Sequence, residues 1–198
     1  MLRIIGGRLR GRRFNAPPGR QTRPTADKVR EAIFNTLASL MDLDGVEALD
    51  LFAGSGALGL EALSRGAAHC TFVEAHGRTA AGIRANLGLL GLEPATAQVV
   101  TARVESWLRQ AALPRPADLV LADPPYAYGE HDALLAGLAD SGAVAPGALI
   151  VLEMAEGQAL AAHPRLEVLR MKGYGDTQVC FLEKQEPTVP PSPAEPPH

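Results

Sequence analysis

From residue 46 onward the chain repeats one unit: a short apolar run, a turn, then a longer stretch whose apolar side chains recur at helical spacing. Residues 46–52, 70–74, 97–101, 117–122 and 148–153 are the runs, and 57–65, 77–90, 104–112 and 131–140 are the stretches between them. A strand that is apolar at consecutive positions must be covered on both faces, and strands separated by helices pair side by side in one direction. The unit therefore predicts a mostly parallel sheet with helices on both sides. Beyond 153 the pattern breaks. Residues 166–171 and 178–183 read as two strands joined by Lys172-Gly173-Tyr174-Gly175-Asp176-Thr177, with no helix between them, which predicts an antiparallel pair at one edge.

Ahead of this region, residues 2–16 read as a small hairpin around Gly6-Gly7, and Pro17-Pro18-Gly19 as a linker. Thr25 reads as the cap of a helix running to about residue 40, with Val29, Ile33, Leu37 and Leu40 on one face. Three segments result: a hairpin extension over 1–22, an α/β domain over 23–184 and a tail over 185–198. The last 14 residues hold six prolines and no apolar period, the composition of a disordered segment.

With 198 residues, 46% of them hydrophobic, the chain can bury one sizeable core. Its net charge of −3 hides a strong asymmetry. Residues 1–30 carry nine of the 19 basic side chains and a single acid, Asp27, whereas the remainder is acidic. A basic front on an acidic body points to an anionic partner met at the N-terminus. Cys70 and Cys180 each fall in an apolar run and read as buried, reduced thiols. No apolar run reaches the roughly 18 residues of a membrane span. The N-terminal arginines lead into glycine and proline rather than a signal core or an amphipathic transit helix. A cytoplasmic protein without a membrane partner is expected.

Gly54-Ser55-Gly56-Ala57-Leu58-Gly59 follows a strand and opens a helix, and Glu74 ends the next strand 20 residues on. In that context a glycine loop takes a dinucleotide, its pyrophosphate on the helix N-terminus and its ribose on the acid. Asp50, four residues before the first glycine, shifts the balance. A carboxylate about 5 Å from a pyrophosphate costs on the order of 1–3 kcal/mol at effective dielectrics of 20–80. S-adenosylmethionine (AdoMet) has no phosphate and carries an ammonium and a sulfonium, so the acid attracts it, and Glu74 serves its ribose as well as it would that of NAD. AdoMet is thus favoured over NAD. The competing role for Asp50 is to partner the helix N-terminus or form a turn.

Asp123-Pro124-Pro125-Tyr126 follows the fourth strand directly. Ligands of an open parallel sheet sit beyond the carboxyl ends of the strands, where strand order reverses, which sets this loop facing the glycine loop. These residue types suit methylation of an exocyclic amine on a planar base. The amine's lone pair is delocalised into the ring, and two acceptors aimed at its protons pull it toward a tetrahedral shape. The Asp123 carboxylate supplies one acceptor and the rigidly held Pro124 carbonyl the other. Tyr126 offers a stacking face, worth roughly 1–3 kcal/mol. The competing reading is a plain Pro-Pro turn with a rim aromatic. No pair among His69, His76, His131, His163, His198 and the cysteines has metal-ligand spacing, so no metal site is expected. Nor does methyl transfer from a sulfonium require one.

Arg8, Arg10, Arg12 and Arg13 run through the hairpin, and Arg20 and Arg23 continue toward the helix. Arginine's fork suits phosphate, so the cluster reads as an RNA-binding surface, against the alternative of a solvated edge that blocks strand association. Phe14 in the same segment reads as a core anchor, with a stacking residue as the alternative.

Arg3-Ile4-Ile5-Gly6-Gly7, Arg10-Gly11-Arg12, Arg23-Pro24-Thr25, Lys28-Val29-Arg30-Glu31-Ala32-Ile33-Phe34-Asn35, the block from Asp50 through Ala62, and Asp123-Pro124-Pro125-Tyr126 together resemble the RsmD-type bacterial 16S rRNA guanine-N2 methyltransferases, over roughly residues 2–184. The resemblance implies a class I AdoMet-dependent methyltransferase fold, Rossmann-like, with a seven-stranded sheet whose last strand is antiparallel. It implies AdoMet as donor and one guanine of small-subunit ribosomal RNA, within a ribosomal particle, as acceptor. Carried over by position, Asp50, Phe52, Ala53, Gly54, Ser55 and Gly56 hold the methionine part, Glu74 the ribose, and Asp123 with Pro124 the amine. The chain departs from the family at Ala102-Arg103-Val104, where similar proteins have Gly-Asp-Ala with the acid reaching adenine. Arg103 cannot accept that hydrogen bond, so backbone near Val104 is expected to replace it. A DNA adenine-N6 methyltransferase, which shares Asp-Pro-Pro-Tyr, and a non-catalytic RNA-binding module remain the rival readings.

Overall fold

The computed structural model describes residues 1–16, 24–125 and 127–186. A two-stranded hairpin, β1 (Leu2–Arg3) with β2 (Arg13–Phe14), precedes α1 (Pro24–Leu37). Then follow β3 (Glu47–Leu51), α2 (Ala57–Ser64), β4 (His69–Glu74), α3 (Gly77–Leu90), β5 (Ala97–Thr101), α4 (Val104–Leu108), β6 (Ala117–Ala122), α5 (His131–Asp140), β7 (Val144–Ala155), β8 (Leu166–Tyr174) and β9 (Thr177–Lys184). The last seven strands named form one sheet in the order β5-β4-β3-β6-β7-β9-β8. Neighbours from β5 through β7 are parallel, and β9 runs antiparallel to both β7 and β8. This is the class I methyltransferase arrangement expected from the sequence, and strand order reverses between β3 and β6.

Alternation along each strand divides the core. Ala48, Leu119, Leu121, Val151 and Phe181 face α1, α2, α3 and the hairpin, while Leu49, Leu51, Val120, Ile150 and Leu182 face α4 and α5. Gly59 of α2 lies so close to the sheet that a Cβ there would come 2.4 Å from the Phe72 ring and 2.7 Å from Cys70 Sγ. Both cysteines are free and buried.

Several expectations need adjustment. The final antiparallel pair does sit at one edge, as expected, and within it β9 lies between β7 and β8, leaving β8 outermost. Burial explains the order, since β9 is covered over Gln178–Leu182 whereas β8 is mostly exposed. The turn between them is also tighter, because Tyr174 pairs with Thr177 and leaves only Gly175 and Asp176. Pro24 heads α1, where its missing N–H costs nothing, so Thr25 lies inside the first turn and not at the cap. α4 ends at Leu108, short of residue 112, ahead of a segment that leads into Pro114. Gln185 belongs with the sheet: its amide donates to Arg165 O at 2.9 Å and its side chain to Glu167 and Glu183. Residues 17–23 and 187–198, including the expected linker and nearly all of the expected tail, lie outside the described residues.

The hairpin is sewn into the body of the molecule. Ile4, Leu9 and Phe14 are buried in the core shared with α1, α2 and α3. Glu61 of α2, 1% exposed, accepts the Ile5 and Gly6 amides at 2.9 and 2.7 Å and pairs with Arg65 at 2.8 Å. Ser64 accepts the Leu9 amide on its hydroxyl and the Arg8 amide on its carbonyl. Gly7 makes this approach possible: its φ is +70°, and a Cβ there would sit 1.9 Å from Ser64 O.

Candidate active site

A cleft of about 640 Å³ opens beyond the carboxyl ends of β3, β4, β5 and β6, at the reversal of strand order. Phe52, Gly54, Glu74, Val104 and Asp123, all singled out from the sequence, line it. Ala75, His76, Thr79, Arg103, Glu105, Pro125 and Tyr128 complete its walls.

The glycine loop is held from below. Phe52, Gly54 and Gly56 take positive φ values of 55°, 55° and 79°, and Ala53 N donates to Val73 O at the end of β4. For a phenylalanine the left-handed conformation costs about 1 kcal/mol, strain of a kind that clusters at functional sites. Glu74 fixes the loop to β4: its Oε2 accepts the Gly54 amide at 2.9 Å and its Oε1 the His76 amide at 2.8 Å. Each of those oxygens retains a second lone pair. Ser55 O accepts from Asn86 Nδ2 at 3.3 Å. The same carboxamide accepts the Asn15 amide and donates to the Asn15 carbonyl, so Asn86 ties the hairpin's exit to the glycine loop.

Asp50 does not line the cleft. It shares the face of β3 that looks toward α2, is 1% exposed, and accepts the Gly59 amide at 2.9 Å. Burial pushes its carboxyl well above the ordinary carboxylate range, the Gly59 hydrogen bond opposes that rise, and the charges of Asp123 and Glu74 add to it. The Gly59 contact is the one the competing reading gave Asp50, holding the first turns of α2. Ala53, Ser55 and Gly56 likewise form the loop without lining the cleft.

Beyond β6, Asp123 is half-buried, Pro124 buried and Pro125 exposed. Pro125 O accepts the Tyr128 amide at 2.7 Å, closing the loop into a turn. Tyr126 lies outside the described residues, as do Arg20 and Arg23. The aromatic that sequence reasoning passed over is Tyr128. Its ring meets Phe52 edge-on at 5.1 Å and His131 at 5.2 Å, and its hydroxyl donates to Glu105 Oε1 at 2.9 Å. The available signal was the Tyr-Ala-Tyr spacing, which puts a second aromatic two residues past the motif. At Arg103, the exposed N-cap of α4, no acid faces the cleft, but Glu105 two residues on does.

The basic hairpin splits into two kinds of arginine. Arg8, Arg10 and Arg13 are exposed. Arg12 donates to Leu90 O at 2.7 Å and Leu89 O at 2.9 Å, capping the C-terminus of α3. Exposed like the other three, Arg12 also docks the hairpin through its guanidinium.

Comparison with known proteins agrees with this geometry. A family model described as "Conserved hypothetical protein 95" matches residues 2–183. Ribosomal RNA small subunit methyltransferase D of Escherichia coli K12 is 41% identical over 152 residues, 77% of this chain and 74% of that protein. The putative rRNA methyltransferase YlbH of Bacillus subtilis is 37% identical over 186 residues, 93% of this chain and all of that one. Among solved structures, the putative methyltransferase yhhF from Escherichia coli superposes with a TM-score of 0.79 at 36% identity, covering 93% of this chain and 98% of that one. Matched by the family model over residues 2–183 and 41% identical to the Escherichia coli K12 protein over 74% of its length, the chain belongs to the ribosomal RNA small subunit methyltransferase D family.

Proposed function

We propose that the protein is an AdoMet-dependent methyltransferase that modifies the exocyclic N2 amine of one guanine in small-subunit (16S) ribosomal RNA. The observation that carries this reading is that Asp123 and Pro125 border the same cleft as Gly54 and Glu74. Its volume suits a nucleoside-sized ligand. Asp123 and Glu74 on its walls, with Asp50 behind the loop, favour a cationic donor and disfavour a pyrophosphate. Glu74 has lone pairs left for ribose hydroxyls, Asp50 through Gly56 shape the methionine end, and backbone at Val104 serves the adenine. AdoMet bound there supplies a methyl group on a sulfonium, already activated for displacement.

The remaining work falls on the acceptor. The Asp123 carboxylate and the Pro124 carbonyl accept hydrogen bonds from the two amine protons and free the lone pair, and Tyr126 stacks on the base. Arg8, Arg10 and Arg13, with Arg20 and Arg23, take phosphates. The cytoplasm and a ribosomal particle are the setting this substrate implies.

The test is transfer from labelled AdoMet to undermethylated small subunits, with duplex DNA in parallel and nucleoside analysis of both. N2-methylguanosine at one position of 16S rRNA is expected; N6-methyladenosine in the DNA, or no label in either, overturns the reading. Asp123→Ala is expected to lower turnover at least about a hundredfold while S-adenosylhomocysteine still binds. Retained turnover removes Asp123 from the chemistry.

A further inference from the structure

Three loops at the cleft mouth, separate in sequence, meet on one side chain. Phe52 follows β3, Glu105 stands in the first turn of α4 after β5, and Tyr128 lies in the loop between β6 and α5. The Tyr128 ring is held edge-on between Phe52 and His131, and its hydroxyl reaches Glu105 at 2.9 Å. In the sheet, β5 and β6 are separated by β4 and β3. The bond therefore fastens the acceptor loop to an element from the far side of the two strands that carry Gly54 and Glu74. The turn bond from Tyr128 N to Pro125 O passes the constraint back to the Pro-Pro segment. His131 is itself steadied, its Nδ1 lying 2.6 Å from Gln158 Nε2.

We propose that Tyr128 is a positioning residue that latches the acceptor loop to Glu105 across one wall of the donor cleft, so that retention of the donor depends on this hydrogen bond. The inference rests on the reading of the cleft as the donor site. It concerns two side chains outside both sequence motifs. Donor and acceptor sites have to be assembled together for methyl transfer, and a link from the loop after β6 to α4 makes the seating of one the closing of the other. Burial and the neighbouring Glu105 carboxylate hold the Tyr128 hydroxyl protonated, so the latch does not open through the working pH range of an RNA enzyme.

The experiment follows S-adenosylhomocysteine on the full chain, by calorimetry for affinity and by stopped-flow for dissociation. Tyr128→Phe removes the hydroxyl and keeps the ring; Glu105→Ala removes the acceptor; Glu105→Gln keeps a carbonyl oxygen able to accept. Both Tyr128→Phe and Glu105→Ala are expected to speed dissociation about five- to tenfold, the scale of one ordinary net hydrogen bond. The double variant is expected to match the single ones, and Glu105→Gln to stay within about twofold of the parent, with the melting temperatures of the unliganded variants used to set aside loss of fold. Unchanged dissociation in both single variants, additive effects in the double variant, or a Glu105→Gln as impaired as Glu105→Ala overturns the latch while the donor reading stands. An unaltered protein that fails to bind S-adenosylhomocysteine overturns the donor reading itself.

Discussion

Asp50 answers to two demands at one position. Strand alternation turns its side chain toward α2, where the Gly59 amide meets it, and the same burial makes the ionised form costly. Asp50→Asn can still accept from Gly59 and carries no charge to desolvate, so it is expected to melt higher than the parent at neutral pH. The sign follows from the raised pKa. The advantage of the variant is full above the raised folded-state pKa, shrinks as pH falls from there toward the ordinary carboxylate range, and closes below that range, where the parent is protonated both folded and unfolded. The same variant is expected to bind S-adenosylhomocysteine more weakly, because the cleft loses part of its negative field. Thermal melts across pH, paired with calorimetry, check both; a variant no more stable than the parent at pH 7 would remove the burial argument. Sequence position marked Asp50 as a candidate for the charge that selects the ligand. It did not say where the carboxyl points, because period-two alternation fixes only the face, and both the helix amide and the cleft lie at that end of β3.

Hairpin and helices are coupled through a few buried polar groups. Glu61 takes two amides of the hairpin and the Arg65 guanidinium, and Arg30 approaches it at 3.8 Å. Glu61→Gln leaves Arg65 without its counter-charge and Arg30 with Asp27 alone, beside a carboxyl that is 1% exposed. A loss of about 3 kcal/mol is expected, or roughly 10 °C in melting temperature for a chain of this size, read by calorimetry. The elements themselves were largely legible: apolar runs and helical spacing located the strands, and Gly91 at φ 65° stops α3 where a glycine was expected to. What escaped were contacts between residues far apart in the chain. Arg12 and Arg13 are chemically alike, adjacent and both exposed, yet Arg12 caps α3 through carbonyls 77 and 78 residues away. Asn86 could have been noticed, since it interrupts an apolar face made with Ile83, Leu87 and Leu90. A poor helix former placed there needs a partner, which the hairpin and the glycine loop provide.

For the molecule as a whole, charge is laid out along the chain and then gathered by the fold. The basic front end is held by Glu61 and Ser64 against α2 and by Arg12 against α3, while the acids of the cleft gather at the carboxyl ends of the strands. Neutralising Arg8, Arg10 and Arg13 together, with Arg12 left in place to keep the hairpin docked, is expected to weaken RNA binding and flatten its dependence on salt. Each lost phosphate contact removes roughly 0.7 from the slope of log affinity against log salt for single-stranded RNA. A slope identical to that of the parent would return these arginines to solvent. Strand order at the far edge was the least legible feature of the molecule, because hydrogen-bonded neighbours there are chosen by burial after the chain has turned back, not by succession. That order has a consequence during synthesis. Until Thr177–Lys184 has been made and has pushed in between its neighbours, the long apolar flank of Leu149–Met154 stands raw, with unpaired backbone groups able to recruit another nascent chain. A product cut short after β8 would keep every motif of the cleft and still be prone to aggregate.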